Sequence, residues 1–346
     1  MGTLNTTFGD RIQKLTVTLI IFLSLSVASA ENRVALKVVQ TIPLTEVDGR
    51  IDHFAIDLKG RRAFLAALAK NTIEVVDLRA GHVTNTLRGF ARPQGVLFVP
   101  KFNKLVVASG ADGSVKTLDG TTLAVIHTAS VSLGADAIGY DPQSTEFYVG
   151  SGGGDANKEQ GDLTVFNVAS GAQVAALTTD AHAGGSVVQG HGGRVFVLVP
   201  EKAEVVVLDR KTKSQVAQWT IPGIQKNVAL ALDEKNHRLF LGVRTPASIV
   251  VLDSDSGAVV ASVPTVATLD GLSFDSATRR IYTSGGEGFV DVTQQIDADH
   301  YERIARIPTG PIARTSVFVA EWHRFYVAVP RDKERGAELR VFEVVP

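Results

Sequence analysis

Two stretches decide the fold: Arg279–Gly288, RRIYTSGGEG, and His323–Asp332, HRFYVAVPRD. Each sets a positive charge, an apolar residue, a tyrosine and then small or polar residues in the same order. Their tyrosines, Tyr282 and Tyr326, stand 44 residues apart. The same short run recurs upstream as AFLA, LVVA, FYVG, VFVL and LFLG, at Phe64, Val106, Tyr148, Phe196 and Phe240. Successive spacings along all seven are 42, 42, 48, 44, 42 and 44 residues. So regular a beat over nearly the whole chain is the mark of a repeat architecture.

The flanks keep the same time. Seven residues before the marker stand Asp57, Asp141, Asp233 and Asp275, each followed by a turn such as DLKGRR or DPQSTE. An Asp there caps nearby backbone amides and favours a tight turn. Thirteen residues after the marker stand Asp77, Asp119, Asp209 and Asp253, each closing an apolar run such as VVVLD. A fourth β-rich run follows, for example HVTNTL or SQVAQW. Four short strands in each unit of 40–45 residues read as a β-propeller blade. The fold expected is therefore all-β, a seven-bladed propeller of four-stranded blades. The last unit ends after its third strand, so VALKVVQTI, Val34–Ile42, is expected to complete it and close the ring. The marker aromatics are then core residues packed between blades.

The FYVG and FYVA phrases and the VVVLD and VVLDSDSG runs resemble the YVTN-repeat β-propeller family, over about Val34–Pro346. The blade spacing is of this WD40/YVTN-like kind. The Asn that often closes the family's phrase is replaced by Gly150, Gly242, Ser284 and Ala328. The resemblance implies the propeller fold, and export and binding more than any one reaction.

Composition narrows the function. Charged residues make up 21% and the net charge is −1, which gives no case for nucleic acid. Near the N-terminus Arg11 and Lys14 precede the apolar run LTVTLIIFLSLS, and Ala28–Ala30, ASA, follows. That order is a secretory signal, residues 1–30, cleaved after Ala30. The apolar run is about twelve residues, short of the roughly 20 a spanning helix needs. The expectation is one propeller domain, 31–346, periplasmic or secreted, with no membrane span after cleavage. There is no cysteine, which removes disulfides, thiolate metal sites and a cysteine nucleophile.

Candidate chemistry lies where the innermost strands begin, at one mouth of the central channel. Twelve residues before each marker stand Asp52, Gln94, Asp136, Gly184, Val228, Asp270 and Arg314. Their neighbours add His53, Arg92, His182, Lys226 and Asn227. This polar set reads as a site for a small molecule, a peptide or a protein partner. The alternative is a hydrolase or lactonase-type enzyme in which Asp52, Asp136 and Asp270 hold a divalent cation. The plainer reading is a hydrated funnel whose opposite charges pair. No pair of histidines has HExxH spacing and no GxSxG elbow occurs. The loop GSGGGDANKEQGD, Gly150–Asp162, lengthens one unit but meets neither the P-loop nor the EF-hand pattern, and reads as a surface loop.

Overall fold

The structure, a computed structural model, describes residues 1–2 and 35–345. The signal segment expected at residues 1–30 falls outside the described residues apart from its first two. The contacts divide the chain into Met1–Glu31 and the unit Asn32–Pro346. Among the described residues no helix is long and apolar enough to cross a membrane.

The second unit consists of seven four-stranded antiparallel sheets, arranged as a seven-bladed β-propeller. Blade one runs from its innermost strand outward as Phe54–Asp57, Arg62–Ala67, Thr72–Asp77 and His82–Leu87. Blades two to six repeat this order along the chain. Blade seven is Thr315–Val319, Arg324–Val329 and Glu338–Val344, with Leu36–Pro43 as its outermost strand. That N-terminal strand pairs antiparallel with Glu338–Val344, from Leu36 opposite Val344 to Pro43 opposite Glu338. The two ends of the propeller thus close one sheet.

The turn chemistry is as the sequence suggested. Asp57 Oδ1 accepts from the Gly60 amide at 2.9 Å, and Asp141 Oδ1 from that of Gln143 at 2.9 Å. Between third and fourth strands, Asp77 Oδ1 accepts from the amides of Arg79 and Ala80 at 2.8 and 2.7 Å. Asp209 Oδ1 repeats this with Lys211 and Thr212 at 3.0 and 2.7 Å. These backbone donors hold the Asp77 and Asp209 carboxyls below their ordinary value.

All seven markers are buried, Tyr282 and Tyr326 among them. The cores lie between blades. Phe64, Ile73 and Val75 of blade one pack with Val96, Phe98, Leu105 and Val107 of blade two. Phe64 stacks on Phe98 with ring centroids 5.5 Å apart, and Tyr282 on Phe318 at 5.4 Å. Phe98 and Phe318 each stand eight residues before the next blade's marker, so each such ring reaches forward to the neighbouring innermost strand.

The positive charge two residues before the marker straps blades together. Arg62 Nη2 donates to the Gly120 carbonyl at 2.8 Å, in the next blade's outer turn. Lys104 reaches Val168 at 2.9 Å, Arg194 reaches Ser254 at 2.9 Å, and Arg238 reaches Ala298 at 3.1 Å. In blade three the position is Glu146, and there the partner is a cation, Lys213 of blade four. The charge at this position is reversed and the strap is kept.

Every outermost strand carries a bulge. Its extra residue is Val39, Thr84, Ile126, Val174, Val216, Val260 or Ile304. A bulge twists the strand and breaks its row of free backbone groups, so the seven outer edges resist pairing with another chain.

Candidate functional site

The innermost strands bring one residue or more from each of the seven blades to a cavity of about 410 Å³ at the channel mouth. Its walls include Arg50, His53, Arg92, Gln94, Asp136, His182, Gly184, Lys226, Val228, Arg244, Asp270 and Arg314. Backbone bonds fix these starts. The Asp136 amide donates to the Gly150 carbonyl at 3.0 Å, and the Gly184 amide to that of Leu198 at 2.8 Å. Arg92 and Lys226 hold left-handed backbone, with φ of 55° and 60°. The Arg92 amide is held at 2.7 Å by Asn71 Oδ1.

Two expected residues do not line this cavity. Asp52 is fully buried, with Arg50 Nη2 at 2.9 Å and His53 Nε2 at 3.9 Å. Asn227 is also fully buried and donates through Nδ2 to the Glu204 carbonyl at 2.8 Å. Its strand neighbours Lys226 and Val228 face the cavity, so alternation of side chains turns Asn227 away. Counting along the sequence also passed over Arg50, Asp155, Glu201 and Arg244, all of which line the cavity. Arg50 had a signal, because it stands two residues before Asp52, as Arg92 does before Gln94, His182 before Gly184 and Lys226 before Val228. Asp155 belongs to the lengthened loop, which reaches across to Arg92 Nη2 at 2.6 Å.

The charges form two groups. Asp270 faces three guanidiniums: Arg244 Nη2 at 2.7 Å, Arg314 Nε at 3.0 Å and Arg50 Nη2 at 3.6 Å. Arg314 is drawn below its ordinary value by burial, with Arg50 and Arg244 acting in the same sense against Asp270. Elsewhere on the wall His53 Nε2 lies 3.7 Å from Asp136 Oδ1. Burial pushes the Asp52 carboxyl up to about 6; Asp136 and Asp270 add to this, while His53 and Arg50 oppose it. For His53 burial works downward, and the carboxylates of Asp52, Asp136 and Asp270 outweigh it and raise the imidazole. Asp52 and His53 thus both hold their protons more firmly than they would in water.

Among the described residues no group of three His, Asp or Glu is arranged to hold a metal ion. Asp52, Asp136 and Asp270 do not form the ligand set expected of them, because arginines and His53 stand between them as counter-charges. The wall also has no serine, threonine or tyrosine hydroxyl to act as a nucleophile. What it offers is charge, hydrogen-bond donors and acceptors, and space for a small group. Asp136 Oδ1 and Arg50 Nε are buried without hydrogen-bond partners.

Neither a protein-family model nor a curated protein matches this sequence. Solved structures do. A chain of Kuenenia stuttgartiensis hydrazine synthase is similar with a TM-score of 0.71 at 15% identity, over 83% of this chain and 96% of that one. A chain of a mitotic checkpoint complex is similar with a TM-score of 0.75 at 12% identity, over 98% of this chain and 100% of that one. Likeness at such identity establishes the propeller fold and no activity.

Proposed function

We propose that this chain is an exported binding or scaffold protein whose ligand or partner sits at the channel mouth. The cavity carries the reading: seven blades bring charged and polar side chains to one place. Several of their buried atoms lack hydrogen-bond partners there, among them Asp136 Oδ1 and Arg50 Nε. The size suits a small molecule or the tip of a peptide or protein loop. The basic, apolar and small-residue order of the first thirty residues supports export, and the FYVG and FYVA phrases support kinship with YVTN-repeat propellers. The two structural neighbours have unrelated roles by their names, so the fold does not choose between a small ligand and a protein partner. A metal-dependent hydrolase or lactonase lacks support in the donor geometry.

A thermal-shift screen of sugars, lactones, nucleotides, organic acids and divalent ions tests the reading, since a ligand favouring the folded state raises its stability. A hit whose shift disappears in Asp136→Ala or Arg314→Ala, with the fold intact, supports it. Hits indifferent to every mouth substitution, or no hits and no captured partner, sink it. N-terminal sequencing of the mature protein should read from Glu31; an intact Met1 in the cytoplasm would overturn export.

A further inference from the structure

The cation balance at the mouth is uneven. Arg50, Arg244 and Arg314 come from blades one, five and seven and converge on Asp270. Lys226, also from blade five, lines the same wall, and no ion pair engages it among the described residues. These four cations face two carboxylates, Asp52 and Asp270. Asp270 is itself mostly buried, with 10% of its side chain exposed, and sits among the guanidiniums as a brace. Arg244 is held further by its Nε donating to the Leu269 carbonyl at 2.9 Å. Donor capacity is left over. Arg50 Nε has no acceptor, and Arg314 Nε, though near Asp270, is not aligned to donate to it. The remaining acids of the wall, Asp136, Asp155 and Glu201, come from blades three and four, Glu201 on a short turn that packs against the strand of Lys226. Asp136 and Asp155 are matched there by His53 and Arg92.

A guanidinium fork matches the planar or tetrahedral oxygens of carboxylate and phosphate, and charge-assisted bonds of this kind are about twice as strong as neutral ones. We propose that the mouth binds a small molecule by a carboxylate or phosphate group seated on Arg50, Lys226, Arg244 and Arg314. This rests on the reading of the mouth as a binding site and assigns its ligand class. Asp270 is a positioning residue that holds three arginines together at the mouth. The rest of the ligand points toward Asp136 and Glu201, so hydroxyl or amine donors there add to recognition.

The test uses purified protein at low ionic strength, with sodium phosphate and sodium succinate as anionic probes and glucose and spermidine as neutral and cationic ones. Thermal shift and isothermal titration are the readouts. Phosphate or succinate should raise the melting temperature, and added sodium chloride should weaken the effect by screening. Lys226→Gln should weaken that probe about tenfold, the loss expected for one charge-assisted contact. Lys59→Gln, which removes an exposed charge that does not line the cavity, should leave it unchanged. Lys226 is exposed and makes no ion pair among the described residues, so its variant tests the site even where Arg314→Gln fails to fold. Response to phosphate alone marks a phosphorylated ligand, and to succinate alone a carboxylic acid. Anion affinity unchanged in Lys226→Gln overturns the proposal. So does binding of glucose or spermidine, but no anion, that is lost in Asp136→Asn; that result would leave the mouth a binding site. If no probe or wider screen senses any mouth variant, both readings fall.

Discussion

Replacing Asp52 by Asn should stabilise the protein at alkaline pH. Asp52 is fully buried beneath the mouth, and its carboxyl, ordinarily at 3.8, titrates at about 6. The folded state therefore holds this proton where the unfolded chain has released it. Stability is present at low pH and is lost as pH rises from near 4 through about 6. His53, also raised, adds in the same direction, because its charged form is favoured in the folded state and is lost at higher pH. At about 1.4 kcal/mol for each factor of ten, ionising Asp52 in place costs about 3 kcal/mol. With an unfolding entropy of about 2.1 cal/mol/K per residue over roughly 310 residues, that is about 5 °C in melting temperature. The assay is equilibrium unfolding followed by the fluorescence of Trp219 and Trp322 across pH 4.5 to 8. Asp52→Asn should come closest to the parent at the acid end and exceed it at pH 8, with the excess growing from near pH 4 to about pH 6 and level above that. The His53 imidazole should titrate lower in the variant, because one of the carboxylates holding it up is gone. A variant less stable than the parent at pH 8, or a difference that ignores pH, would refute the reasoning. Attraction to Arg50 and His53 would then outweigh the cost of burial.

Three further outcomes follow from the packing. Asp291 is fully buried and held by Arg306 Nε and Nη2 at 2.7 and 2.8 Å, so Arg306→Ala should cost about 3 kcal/mol by denaturant titration, and adding Asp291→Asn should recover part of it. No recovery would mean that the loss is packing and not stranded charge. A Cβ on Gly150 would lie 2.0 Å from the Ala183 carbonyl oxygen of blade four, so Gly150→Ala should destabilise by about 1–3 kcal/mol, and an unchanged melting temperature would contradict the close approach. Removing residues through Pro43 takes away the outermost strand of blade seven and should end cooperative unfolding; a monomer that still melts in one sharp transition would show that closure is dispensable.

The seven blades were legible because each repeats a local pattern of strand, Asp turn and marker, and seven copies reinforce one another. The closing strand was legible because one blade lacked a piece that the N-terminus matched. The replacement of the family's Asn also has a local cause. At that position Gly150 and Gly242 meet the next blade closely, and Ser284 Oγ donates to the Arg314 carbonyl at 2.8 Å. The mouth was legible only in part. The frame found His53, Arg92, Gln94, Asp136, His182, Lys226, Asp270 and Arg314, because innermost strands start in register around the ring. It admitted Asn227, which alternation turns away, and passed over Arg244, which comes from the far end of a second strand. Glu201 and Asp155 enter on short turns whose paths depend on the neighbouring blade.

By itself, then, the sequence determined the number of blades, the strands within each and the place where the ring closes, since those follow from periodicity and turn chemistry within one unit. The opening phrase's tyrosine and its preceding positive charge were visible as a repeat. The ring's packing between blades was expected from the repeat and is seen in Tyr282; only the tertiary structure decided what the charge does, strapping one blade to the next in Arg62, Lys104, Arg194 and Arg238. It also decided that three arginines from separate blades converge on Asp270. Contacts between residues 26 to 220 positions apart are set by the closure of the ring, and no local pattern encodes which charges will meet there.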